Sequence, residues 1–88
     1  MIQIHARIHE RHPEISEDDV RCAWENQYRT TLRMVDSGER HVAVGLDTKG
    51  RDLEMVAVEL ESGDWLVYHA MTPPSQKTLA ELGLRGRR

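Results

Sequence analysis

The sequence predicts an α+β domain: an N-terminal αα-hairpin packed on a four-stranded antiparallel β-meander, followed by a short C-terminal helix. Three observations carry that expectation. Residues 15–20, ISEDDV, spell out a helix start. After Tyr28 the apolar period changes from helical to alternating. Three glycine-bearing turn clusters, DSGE, DTKG and ESGD, then divide the chain into four strand-like runs.

Taken in order, Met1 to Ile4 read as an extended lead-in. Residues 5–12, HARIHERH, read as a short helix. Ile4, Ile8 and Ile15 fall near one another on a helical projection, and Pro13 stops the helix at His12. The second helix is expected over residues 17–26. Ser16 is its N-cap, Asp19 completes a short form of capping box, and Ile15 and Val20 are spaced as a hydrophobic staple. Glu17, Asp18 and Asp19 put negative charge at the positive end of the helix dipole.

In YRTTLRMVD, Tyr28, Thr30, Leu32 and Met34 alternate with Arg29, Thr31, Arg33 and Val35. RHVAVGL puts Val42, Val44 and Leu46 on one side. Runs 53–60 and 65–71 are apolar on both parities, so they belong centrally in the sheet. TPPS ends the last run, and Ser75 can cap a helix carrying Leu79 and Leu82 that Gly83 terminates. A single domain over residues 1–84 follows, with RGRR at 85–88 as a frayed basic tail.

Composition narrows the function classes. No apolar run approaches the roughly 18 residues of a membrane helix. No basic-then-apolar leader is visible, and a lone cysteine, Cys22, cannot form an internal disulfide. These features point to a reducing cytoplasm. The net charge of −3 argues against coating nucleic acid by bulk charge, yet ten of the twelve cations are arginines, whose planar fork suits phosphate.

His5, His9 and His12 would share a helical face, which makes a metal site one candidate. H-A-R-I-H nevertheless lacks the glutamate of H-E-x-x-H. Cys22 lies mid-helix, Ser16 is needed as a cap, and no nucleophile-elbow, P-loop or dinucleotide pattern occurs. The remaining scatter of Arg, His and Tyr is the set that RNA cleavage without a metal requires. One group takes the 2′-OH proton, another protonates the leaving oxygen, and cations steady the phosphorane.

The order of segments resembles the BrnT branch of the RelE-superfamily toxins, with small actinobacterial-type relatives the nearer likeness. The likeness rests on Arg11, His12, Ile15, Ser16, Asp19 and Val20, then Arg40, Val44 and Gly45. It continues through Gly50, Arg51 and Leu53 and closes with Val67 to Met71. It implies a compact sheet with helices on one face, a ribonuclease activity without cofactor, and an antitoxin protein that masks the active surface. By that likeness and the residue chemistry, His12, Arg40 and His69 are the candidate catalytic residues. Arg11, Arg33, Arg51 and Tyr68 are candidates for binding RNA. Met71 stands where typical members carry arginine, and TPPSQK where a basic tract often follows. Two alternatives therefore stay open: a non-catalytic protein-binding module on a degenerate toxin fold, and metal binding through the N-terminal histidines; under any of these readings a homodimer is a further candidate.

Overall fold

The computed structural model describes residues 1–84, and the tail expected at 85–88 lies outside the described residues. The elements are β1 (Ile2–Ile4), α1 (Arg7–Arg11), α2 (Glu17–Glu25), β2 (Gln27–Val35), β3 (Gly38–Leu46), β4 (Asp52–Glu59), β5 (Trp65–Met71) and α3 (Gln76–Glu81). The α+β class holds. The four-stranded meander does not: the sheet has five strands in the order β1-β5-β4-β3-β2, and β1 runs parallel to β5. The lead-in pairs Ile2, Gln3 and Ile4 with Trp65, Leu66 and Val67. His5 N–H extends that ladder to the Val67 carbonyl at 2.9 Å. The first helix is consequently shorter than residues 5–12, because His5 belongs to the strand side and His12 has left helical geometry.

α2 forms as its start signal requires. Ser16 Oγ accepts from Asp19 N–H at 3.0 Å, and Asp19 Oδ2 accepts from Ser16 N–H at 3.0 Å. Val20 and Ala23 are fully buried on one face of this helix, and Ile15 just before it is buried too. They pack with Ala43, Leu53, Met55, Ala57, Val67 and Ala70 into the main core. The approach is close: a Cβ on Gly45 would lie 2.0 Å from the Ala23 carbonyl oxygen. Only glycine lets helix backbone and strand backbone meet there.

Alternation puts Val42, Val44, Glu54 and Val56 on the opposite face, and all four are buried. α3 covers that side. Arg33 reaches Glu81 and Thr78 from the sheet, and Ser75 at the cap of α3 bonds Glu54. The helices therefore occupy both faces, not one. β4 and β5 are interior strands, as their two-sided apolar runs predict.

Candidate functional site

β1 pairs only with the first three residues of β5, so the outer edge of Tyr68 to Met71 is left to α1. A cleft of ≈410 Å³ opens there, between α1 and α3, across the ends of β4 and β5. Its floor depends on a β-bulge. Val56 pairs with His69 and Ala57 with Val67, which leaves Tyr68 without a partner on β4. Strict alternation would put Val67 and His69 on the same face. The extra residue lets Val67 and Ala70 both enter the core while His69 turns to the cleft.

His69 Nε2 lies 2.7 Å from Glu54 Oε2, on a carboxylate only 3% exposed as a residue. The other oxygen, Oε1, accepts from Ser75 N–H at 2.8 Å and Ser75 Oγ at 2.9 Å. Burial pushes the Glu54 carboxyl up, but the bonds from His69, Ser75 and Thr78 outweigh it and bring it down to about 2. Glu54 is an anion at neutral pH, so His69 keeps a proton on Nε2. In the neutral ring Nδ1 then holds a lone pair, with its tautomer fixed from behind.

Cations surround this pair. The Arg7 guanidinium sits 5.5 Å from the Tyr68 ring centroid, and its buried Nε has no hydrogen-bond partner among the described residues. Arg11 and Lys77 stand on opposite walls. Arg33 is also on the wall, but its fork is closed on Glu81, with Nε to Oε2 at 2.9 Å, and Nη2 reaches Thr78 Oγ1 at 3.3 Å. The Glu81 bond raises the Arg33 pKa above its ordinary value. A small annex of ≈70 Å³ brings His12 together with Arg11, Tyr68 and His69. His12 Nδ1 faces the Glu14 carboxylate at 3.6 Å.

No family profile, curated protein or solved structure matches the chain. The site must be read from its own geometry.

Of the residues the sequence singles out, Arg11, His12, Arg33, Tyr68 and His69 come together at this cleft and its annex. Arg40 does not. It lines a separate cavity near the β2–β3 turn and donates to Ser37 Oγ at 2.6 Å and the Glu39 carbonyl at 3.0 Å. Arg51 is held elsewhere too, with Nε on Asp47 Oδ2 at 2.7 Å and Nη2 on Asp19 Oδ2 at 3.3 Å. It ties the β3–β4 hairpin to the start of α2.

The three N-terminal histidines part company. His5 Nδ1 accepts from Arg7 N–H, His9 Nδ1 donates to the Ile15 carbonyl, and only His12 reaches the annex. Among the described residues no three His, Cys, Asp or Glu side chains converge as a metal-binding group. No described helix is long and apolar enough to cross a membrane.

Sequence reasoning passed over Glu54, Arg7, Ser75 and Lys77. Glu54 left one signal: it is the only charge inside the apolar stretch LEMVAV. A lone acid in a central strand needs a buried partner, and His69 supplies it.

Proposed function

We propose that the chain is a toxin-like endoribonuclease that needs no metal, the enzyme half of a toxin–antitoxin pair acting in the cytoplasm. The observation that carries this reading is His69 held at the cleft floor by a buried, ionised Glu54, beneath Arg7, Arg11 and Lys77. His69 Nδ1 takes the proton from an RNA 2′-OH. The O2′–P bond forms as the P–O5′ bond breaks, and protonated His12 gives its proton to the departing O5′. The products are a 2′,3′-cyclic phosphate and a free 5′-hydroxyl. Arg11 and Lys77 meet the phosphate oxygens, and the Arg7–Tyr68 pair offers a flat surface to a neighbouring base. An antitoxin would act by covering these cations with carboxylates.

Cleavage of RNA in the presence of EDTA tests the proposal. His69→Gln should lower the rate by about 10²–10⁴-fold, the usual contribution of a general base. Arg40→Ala, outside the cleft, should cleave like the wild type. No cleavage by pure wild-type protein, or equal cleavage by His69→Gln, defeats it.

Two observations favour a second reading. Met71 lies on the cleft wall and Arg33 is closed on Glu81, which leaves the phosphorane fewer cations than the segment likeness implies. A cleft that binds an anionic partner without cutting it fits those facts. Binding of RNA, lowered by Arg11→Ala and unaccompanied by cleavage, would select it.

A further inference from the structure

β2 is the far edge of the sheet, nine residues long, and carries neither proline nor lysine, two common guards of an exposed edge. Four of the six large apolar side chains exposed on the described chain belong to it: Tyr28, Leu32, Met34 and Val35. Leu32 and Met34 are 61% and 69% exposed. Leu32 also borders the cavity near the β2–β3 turn, beside His41 and Trp65, so the apolar patch continues past the strand. The two strand arginines do not protect this patch. Leu32 and Met34 share one face, while Arg29 and Arg33 lie on the other with Val35, where Leu82 and Glu81 of the α3 region hold the arginines.

The backbone of this edge has a definite polarity. Val35 pairs with Gly38 across the two-residue turn at Asp36 and Ser37, which makes them a hydrogen-bonded pair. The odd-numbered residues Val35, Arg33 and Thr31 therefore bond to β3. Thr30, Leu32 and Met34 turn their N–H and C=O groups outward.

From this edge we infer that the protein forms a two-fold dimer by antiparallel pairing of β2 with β2 of a second copy, centred on Leu32. That register joins Leu32 to Leu32 and Thr30 to Met34 through their outward backbone groups and stacks the Leu32 and Met34 side chains of the two copies on one face. It sets Arg29 opposite Val35 and Arg33 opposite Thr31. Moving the centre one residue back sets Arg29 against Arg33, and one residue forward sets Arg33 against itself. Both are penalised by like charge. The strand is thus complementary to its own reversed copy.

Pairing in the plane of the sheet makes ten continuous strands and leaves the cleft open. Both clefts then face the same side. With strands about 4.8 Å apart, the two β5 strands stand about 34 Å from each other. The protein would present two anion-binding clefts to one extended ligand. A contact of this kind falls near the low end of stable interfaces, about 1,200 Å² in total. It should dissociate on dilution.

Sedimentation equilibrium of the full chain over a wide concentration range tests the inference. The expected result is a reversible species of twice 10.2 kDa. Leu32→Lys, at an exposed site, should give a folded monomer by circular dichroism and mass. Leu46→Lys, at an exposed apolar residue of β3 away from the edge, should leave the dimer intact. Met34→Lys should weaken the dimer and the double variant Thr30→Glu/Met34→Lys should restore it, because those positions face each other. A monomer throughout, a dimer indifferent to Leu32→Lys, or no rescue by the double variant overturns the proposal. So does a monomer that uses β2 only to take up a strand from a different protein.

Discussion

Replacing Gly45 with alanine should be the most damaging single-methyl change in this fold. Its backbone does not require glycine, since φ there is not in the left-handed region. The demand is steric. The new Cβ would meet the Ala23 carbonyl oxygen at 2.0 Å and Gln27 Cα at 2.9 Å, both backbone atoms. Restoring ordinary contact requires α2 to move off the sheet by more than an ångström. Two things resist that: Val20 and Ala23 are fully buried, and Asp19 anchors the start of the helix to Lys49 and Arg51. Overpacking costs about 1–3 kcal/mol, and a clash with backbone on both sides belongs at the top of that range, about 3 kcal/mol. For a chain of this size that lowers Tm by about 12–24 °C. Gly50→Ala is the control: its φ of +75° strains alanine, but no atom lies within 4 Å of the new Cβ. That strain costs about 1–2 kcal/mol. Thermal melts by circular dichroism compare the two. A Gly45→Ala loss no greater than that of Gly50→Ala would refute the close-approach argument.

Two further outcomes follow from buried carboxylates. Glu54 has a folded pKa of about 2 against an ordinary value of 4.5, so its contribution is present above the ordinary value and disappears as pH falls towards 2. It amounts to about 3 kcal/mol. Urea titrations should show the stability gap between wild type and Glu54→Gln narrowing from pH 6 to pH 2.5, roughly the window the shift defines; a gap constant across it contradicts the assignment. Asp19, fully buried, accepts from Ser16, Thr48, Lys49 and Arg51. Asp19→Asn should cost about 3 kcal/mol by leaving Arg51 and the helix start without their anion. Lys49→Ala should cost under about 1 kcal/mol, because that ammonium is largely exposed. Equal losses would mean that the network is not centred on Asp19.

What could be read from the chain, and what could not, follows from the length of each signal. α2 was legible because its start writes several independent cues within six residues. The three hairpins were legible because each turn carries a glycine. β1 was not, since three residues are too few to show a period, and Ile4 fits a helical projection with Ile8 as well as a strand. The bulge at Tyr68 was equally hidden: Val67 and Ala70 share the core although three residues apart, a spacing that in a strand normally means opposite faces. His69 was picked out by residue type and segment order. Its partner Glu54 was missed because pairing between strands depends on register, which no local pattern fixes.

The arginines show why residue type alone misled. Ten arginines invite a search for a phosphate-binding strand surface, and Arg33, Arg40 and Arg51 were its natural members. Each is closed on this protein's own oxygens, as are Arg21, on the Ile2 carbonyl, and Arg29. Arg33 and Arg51 offer least to a ligand, since carboxylates fill their forks and counter their charge. Of the seven arginines in the described residues, Arg7 and Arg11 make no hydrogen bond or ion pair to protein oxygens within them, and both come from the five-residue helix α1. They owe their place to the short β1, which ends early enough for α1 to stand beside the open end of β5. The two arginines left without protein oxygens among the described residues therefore come from the edge where a strand stops and a helix takes over. A variant that lengthened β1 over His5 and Ala6 would be expected to draw both arginines away from His69, leaving the fold and abolishing the site.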